Sequence, residues 1–335
     1  MAKITLEKIA EDLGISKVAV SKALNNQKGV SDALRMKIVQ HAESLGYNKR
    51  TSVSDTRNKR FLYMINQDFF LTPSEQFYST IFYFLTSICL KAQCQLQIAF
   101  LEPDYMIDKM KASIASYKPD GIFFAGEVRK SIIRYIEKMT IPCVFIDYFN
   151  PLYNCNYVYV DNYSLGFQLT KYLVAQGHKK IGFVGDIQQT ASIADRFFGY
   201  QRALQDERLP FKLEWHVNEN LEKKSQPLVI SDKLSDMPTA YLSHCDAAAQ
   251  RLYTSLSIKG YRVPDDISVI SFDNTDLCDS LVPKLTSAGP SKEVFARKAF
   301  QVMNDCIGSK NKTFHVVVRT QLVERSSVKN ILDSV

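Results

Sequence analysis

Six side chains between residues 16 and 25 could do chemistry together. Ser16, Lys17, Val18, Ser21, Lys22 and Asn25 share one face of a short helical stretch, and a helix meant only for packing does not need such a face. Hydroxyl, amide and ammonium donors at helical spacing suit a surface of phosphates and base edges. Catalytic arrangements are missing. The chain holds no Walker loop, no G-x-S-x-G and no H-E-x-x-H, and its five histidines are scattered. The seven cysteines (Cys89, Cys94, Cys143, Cys155, Cys245, Cys278 and Cys306) are odd in number, widely spaced and never C-x-x-C. That argues against a disulfide framework and against zinc; buried thiols in a reducing compartment are expected instead. No enzyme activity, metal or cofactor is expected.

Charge supports a polyanion partner. Residues 1–60 carry 12 Lys and Arg against 6 Asp and Glu, while the remaining 275 residues carry 30 against 29. Nearly all of the formal charge of +7 therefore sits in the first sixth of the chain. A basic end module on a near-neutral body is the electrostatic footprint of a nucleic-acid binder, although a solubilising charge run has the same composition. The start, MAKITLEKIAEDLG, lacks the apolar core of a signal peptide, and no stretch is apolar enough to span a bilayer. A cytoplasmic protein, working at the nucleoid, is expected.

Residues 1–46 must position the polar face. They read as three short helices begun by the N-caps Thr5, Ser16 and Ser31 and closed near Gly14, Asn25–Gly29 and Gly46. Leu6, Ile9, Ala10 and Leu13 line one face of the first, Val20 and Leu24 point inward from the second, and Leu34, Ile38, Ala42 and Leu45 repeat along the third. Three residues containing Gly separate the first two, which is helix-turn-helix geometry. Residues 47–60 are polar and basic and read as a linker. From residue 61 the pattern changes to short apolar runs at 61–65, 96–100, 121–126, 143–148, 158–160, 180–185, 239–244 and 267–273, separated by amphipathic stretches. Such runs indicate βαβ units with sheets buried on both faces, and eight are many for one sheet, so two α/β lobes are expected. Ligands in such sheets bind beyond the carboxyl ends of the strands.

The run TLEKIAEDLGISKVAVSKALNNQKGVSDALRMKIVQHAESLGY resembles the DNA-binding headpiece of the LacI/GalR repressor family. PDGI at 119–122, VDN at 160–162, QGHKKIGFVG at 176–185, DRFFGYQRAL at 195–204, GYRVPDDISVISFDN at 260–274 and VVVRTQLVERSS at 316–327 repeat that family's landmarks in order. The resemblance implies a small all-α helix-turn-helix headpiece (1–46) and a hinge (47–60). After these it implies a core (61–335) of two doubly wound parallel-sheet lobes related to periplasmic sugar-binding proteins. The first lobe is expected at about 61–160 plus part of 288–312, the second at about 163–285 plus 314–330. A homodimer on a palindromic operator is also implied, read in the major groove, with a small-molecule effector between the lobes.

Carried over position by position, the resemblance assigns DNA contacts to Thr5, Leu6, Ser16, Lys17, Val18, Ser21, Lys22, Asn25, Ser31, Tyr47, Arg50 and Thr56. Four departures stand out. Lys22 replaces the usual Arg, exchanging a bidentate fork for a point charge. Ala19 stands where a Thr is common, Lys49 where a Pro is, and Thr56 where a Leu wedges into the minor groove. Thr is a poor wedge, so a weaker bend is expected, with phosphate contacts from Lys49, Arg50, Arg57, Lys59 and Arg60.

The same resemblance makes Arg196 and Asp273 effector contacts, a donor fork and an acceptor carboxylate suited to polyol hydroxyls or a polar heterocycle. Around them, Phe77, Tyr78, Glu127, Tyr148, Thr190 and Ser192 are expected near the ends of the apolar runs, and Asn220 or Leu221 near Trp215. Cys245 occupies a position where the family commonly has Asn, so a weak donor replaces a strong one. The effector is expected to be sugar-like, with control of carbohydrate-utilisation genes; a nucleobase-like effector, or a vestigial cleft on a constitutive DNA-binding protein, are the alternatives.

Overall fold

A hydroxyl begins each helix of the amino-terminal unit. Thr5 Oγ1 accepts the Lys8 N–H at 3.3 Å to start α1 (Leu6–Leu13), and Gly14, at φ 63°, supplies the left-handed residue that ends it. Ser16 Oγ accepts the Ala19 N–H at 3.1 Å ahead of α2 (Lys17–Leu24), and Ser31 Oγ accepts the Leu34 N–H at 3.4 Å ahead of α3 (Asp32–Ser44). The shared core is small: Ile9, Ala10, Val20, Ala23, Ile38 and Ala42 are buried. The Arg35 guanidinium, on α3, donates to the Ala23 carbonyl at 3.0 Å and the Val30 carbonyl at 3.4 Å, which ties the end of α2 to α3. The structure, a computed structural model of the 335-residue chain, describes residues 5–24, 29–44, 58–71, 76–101, 106–218, 228–230, 236–308 and 313–332. The chain divides into two compact units at residues 53 and 54. Among the described residues no helix is long and apolar enough to cross a membrane.

The larger unit holds two lobes. In the first, β1 (Arg60–Asn66), α4 (Phe77–Lys91), β2 (Gln95–Leu101), α5 (Met106–Tyr117), β3 (Gly121–Ala125), α6 (Lys130–Ile136), β4 (Cys143–Ile146) and β5 (Asn156–Tyr159) alternate as βα units. The second contains α7 (Asn162–Ala175), β6 (Ile181–Val184), α8 (Ala191–Asp206), β7 (His216–Val217), β8 (Ala240–Ser243), α9 (Asp246–Ile258), β9 (Ser268–Phe272), α10 (Leu277–Ser280) and β10 (Thr286–Pro290). The chain then returns through α11 (Lys292–Gly308) to β11 (His315–Val317) and finishes in β12 (Thr320–Val323). The sheet orders are β11-β5-β4-β3-β1-β2 and β12-β10-β9-β8-β6-β7, parallel throughout except that β12 runs antiparallel to β10. The inner strands are buried at every residue, which explains their unbroken apolar runs.

The crossovers depart from the expected lobe boundaries. Residues 288–290 belong to β10 in the second sheet, held by pairing with β12, while α11 packs against α4 in the first lobe. Residues 315–317 form β11 on the edge of the first sheet, paired with Tyr157–Tyr159, so the segment 314–330 is split between the lobes. One helix contact positions the chemistry. α7 and α8 meet where a side chain on Gly166 would run into the Arg196 carbonyl, and one on Gly199 into the Tyr163 carbonyl. Only glycine lets the two backbones come so close.

Candidate functional site

On the amino-terminal unit, Ser16, Lys17 and Val18 are exposed, Val18 to 61%, and Ser21 and Lys22 are half-buried on the same helix. Lys17 pairs with Glu7 across the turn. Thr5 and Ser31 spend their hydroxyls on helix caps, and Leu6 packs against the small core. Asn25, Tyr47, Lys49, Arg50, Thr56 and Arg57 lie outside the described residues, as do Leu45 and Gly46. Two cations expected at phosphates are engaged elsewhere. Lys59 pairs with Asp120 at 3.0 Å, and Arg60 donates to the Lys118 carbonyl at 2.9 Å and lies over the Tyr117 ring. Burial of β1 draws them in, since the Arg60 N–H is itself bonded to the Asp120 carboxylate at 2.9 Å.

In the larger unit a cleft lies beyond the carboxyl ends of the strands in both lobes, where the doubly wound topology favours a ligand. Arg196, 6% exposed, projects from α8. Its Nε donates to Asn162 Oδ1 at 2.7 Å, one terminal nitrogen to the His244 carbonyl, and the other to Asp273 Oδ1 at 3.2 Å. The guanidinium also lies 4.6 Å from the centre of the Phe272 ring. Each nitrogen thus has a protein acceptor, and the plane is locked. Lys292 holds the turn after β9 by donating to the Asp273 carbonyl and, at 2.6 Å, to the Asn274 carbonyl. Asp246 is one layer deeper. Its oxygens accept the Thr275 N–H and hydroxyl and the Ser287 hydroxyl at 2.6–2.8 Å, so it fixes that turn from below.

The first lobe contributes Asp147. It follows β4 with φ 57°, in the left-handed region, as Asp273 follows β9 with φ 94°. A non-glycine residue held there marks a backbone constrained by its surroundings. Asp147 Oδ2 accepts the Tyr78 hydroxyl at 2.9 Å, whereas Oδ1 is buried without a partner, and so is Gln189 Oε1. Burial pushes the Asp147 carboxyl up to about 7; Asp273 reinforces this, and Arg196 and the Tyr78 hydroxyl oppose it.

Most of the residues expected at an effector come together. Phe77, Tyr78, Thr190, Ser192, Arg196, Cys245 and Asp273 line one cavity with Asp147 and Gln189. Glu127 and Tyr148 line a second that adjoins it. Glu127 Oε2 also accepts the Ala191 N–H at 3.0 Å, capping α8 from the opposite lobe. Asn220 and Leu221 lie outside the described residues. Cys245 is a helix cap as well as a wall: its sulfur accepts the Ala248 N–H at 3.4 Å where α9 begins. Sequence reasoning passed over Asp147, Gln189, Asn162, His244 and Lys292. Asp147 and Asn162 stand within the run 143–148 and the motif VDN, so the strand-end rule that pointed to Tyr148 could have found the first.

Two family models match the chain: bacterial regulatory proteins of the lacI family over residues 5–50, and a periplasmic binding protein-like domain over 170–328. The HTH-type transcriptional repressor PurR of Vibrio atlanticus (strain LGP32) is 26% identical over 342 residues, spanning 98% of this chain and 99% of the relative. The HTH-type transcriptional regulator DegA of Bacillus subtilis (strain 168) is 26% identical over 337 residues, spanning 97% and 98%. Among solved structures, the lac repressor dimer bound to operator and the anti-inducer ONPF superposes with a TM-score of 0.67 at 17% identity, spanning 98% of this chain and all of that one.

Proposed function

The chain belongs to the lacI family of bacterial regulatory proteins, and from that premise we propose that its repression of transcription is set by a small, sugar-like effector bound between the lobes. The matched relatives are regulators rather than enzymes, so the buried carboxylates are assigned to binding. The observation that carries the reading is the pairing of a locked donor with unpartnered buried oxygens. Arg196 and Asp273 face the same cavity as Asp147 Oδ1 and Gln189 Oε1, two buried oxygens without partners that a ligand's hydroxyls, which both donate and accept, would satisfy. An unpaired buried acceptor costs about 1–3 kcal/mol, which a vestigial cleft would have no cause to retain.

Operator recognition is assigned to α2. Ser16, Lys17, Val18, Ser21 and Lys22 face the major groove in this reading, Thr5 and Ser31 orient their helices by capping, and Leu6 supports the unit from within. Asn25, Tyr47, Arg50 and Thr56 complete the assignment from sequence. Two chains would bind a palindromic operator as a homodimer, in the cytoplasm where the chromosome lies. Asp147 and Tyr78 belong to one lobe and Arg196 and Asp273 to the other, so a ligand touching all four favours one angle between the lobes. Operator affinity then changes only by the ligand's differential affinity for the two angles.

The test is an operator titration. Binding-site selection with the full chain defines the operator, and the titration is repeated with a panel of sugars and nucleobases. A sugar that changes operator affinity, and loses its effect in Arg196→Lys and Asp273→Asn, is the expected result. Operator affinity indifferent to every compound would overturn the reading in favour of a constitutive binder, and a nucleobase as the active compound would overturn the sugar-like assignment.

A further inference from the structure

We propose that Lys292 is the positioning residue that passes effector occupancy at Asp273 from the second lobe to the first. The inference rests on reading the cleft as an effector site and names the side chain that makes its occupancy felt across the lobes. Lys292 is the first residue of α11, the helix that packs against α4 in the first lobe. Its ammonium nevertheless reaches the second lobe, where it donates to the Asp273 carbonyl and, at 2.6 Å, to the Asn274 carbonyl. It also lies 5.7 Å from the centre of the Phe77 ring, at the start of α4. That ring meets Phe295, one turn further along α11, edge to face at 6.2 Å. One side chain thus joins the backbone of Asp273 to a helix pair of the first lobe.

Two features set Lys292 apart from a solvated surface lysine. Asp273 and Asn274 both have left-handed backbones, φ 94° and 46°. Successive non-glycine residues in that region persist only where their surroundings hold them. Both carbonyls face one point, and the ammonium occupies it. The second feature is the helix. A cation at the first position of a 17-residue helix opposes the helix dipole, so Lys292 is misplaced for α11 and well placed for the turn. The turn's other supports belong to the second lobe. Ser287 Oγ accepts the Asn274 N–H at 3.0 Å, the Ala288 carbonyl accepts the Asp273 N–H at 2.8 Å, and Arg325 donates to Asn274 Oδ1 at 2.9 Å. These hold the turn to its own sheet, whereas Lys292 is carried by a helix packed on the first lobe. A ligand that draws on the Asp273 carboxylate therefore pulls on α11 through Lys292.

The test uses the full chain with Lys292→Met, which keeps an apolar stem without donors, and Lys292→Arg, whose fork can again reach two carbonyls. Hydrogen exchange needs no ligand. In Lys292→Met the amides of residues 273–275 and of the first turns of α4 and α11 are expected to exchange at least about tenfold faster, with Lys292→Arg close to the wild type. Operator affinity is then measured with and without glucose, ribose, cellobiose, sucrose, adenine and guanine. A compound that shifts the wild type should still bind Lys292→Met within about threefold by isothermal titration, yet shift its operator affinity at least about fivefold less, and Lys292→Arg should restore the shift. A residue that only stabilised the fold would lower the melting temperature without separating binding from response. Should Lys292→Met fail to fold, Lys292→Gln, whose amide can serve one carbonyl, is expected to give an intermediate shift. Unchanged exchange in Lys292→Met, a full shift in Lys292→Met or Lys292→Gln, or binding and shift lost together overturns the proposal. A compound acting equally on the wild type and Lys292→Met leaves the effector reading standing and removes only the role of Lys292. If no compound acts on the wild type, both fall.

Discussion

Asp147 holds its proton where a solvated carboxylate would have lost it, and the cause is burial more than any neighbour. The sign follows from linkage. The folded state keeps the proton up to about pH 7, the unfolded chain releases it near 3.8, and stability therefore declines as pH rises through that window. Asp147→Asn removes the ionisation, so its stability relative to the wild type should improve between pH 4 and pH 7, by at most ~1.4 kcal/mol per pH unit. Denaturant melts of both proteins at pH 4, 5.5 and 7 check this, and a constant difference across the three would contradict it. Cys245 offers a second case. Sulfur is a weak acceptor, and Ser is a better N-cap, so Cys245→Ser should stabilise the chain by about 0.5–1 kcal/mol, while Cys245→Ala destabilises it. Unchanged melting midpoints in both variants would remove the capping role. Arg196 and Asp273 were legible because they sit in motifs whose order is distinctive. Gln189, His244 and Lys292 were not, because a side-chain amide, a backbone carbonyl and a lysine bonded to two carbonyls leave no trace in spacing or hydropathy.

At the scale of elements, legibility followed burial. The eight apolar runs became β1–β6, β8 and β9; most are inner strands, which are apolar along their length because they are covered on both faces, while β2 is an edge strand with exposed positions. The other four strands give no such signal. β7 has two residues; β10 reads TSAGP, small residues that are buried without being hydrophobic; β11 and β12 are edge strands with exposed positions. The three helices of the amino-terminal unit were legible from hydroxyl caps and apolar spacing alone, whereas the division of the carboxyl-terminal segment between lobes depends on pairing that no local pattern encodes. Helix contacts also went unseen, and one makes a prediction. On helix propensity, Gly166→Ala should stabilise α7 by about 1 kcal/mol. Close packing against the Arg196 carbonyl opposes this, and overpacking costs about 1–3 kcal/mol, so packing should prevail. The variant is expected to melt lower than the wild type and, because α8 carries Arg196, to bind effector more weakly. A higher melting temperature would mean that α7 and α8 can separate at little cost.

For the whole molecule the decisive quantity is where the charge lies. The body is near neutral, so the long-range attraction for DNA must come from the first 60 residues. Of their cations, Lys59 and Arg60 are engaged by the core unit and Lys17 is paired with Glu7, which concentrates the load on those that remain. Lys22 then has a role that charge alone does not define. It is half-buried on the helix that carries the exposed Val18, where a base-reading ammonium would contribute about 1–3 kcal/mol of discrimination, against a smaller and sequence-independent effect if it only meets a phosphate. Lys22→Ala should therefore cost the selected operator at least about tenfold in affinity while a random duplex of equal length loses little. The dependence on salt separates the roles further. A lost phosphate contact lowers the slope of log K against log salt by about 0.9 on both duplexes, whereas a lost base contact lowers the ratio of the two affinities at every salt concentration. Gel-shift titrations on the two duplexes at three salt concentrations make the distinction. Equal losses on both, with a matching fall in slope, would make Lys22 a phosphate contact and move the reading of sequence to Val18 and its neighbours.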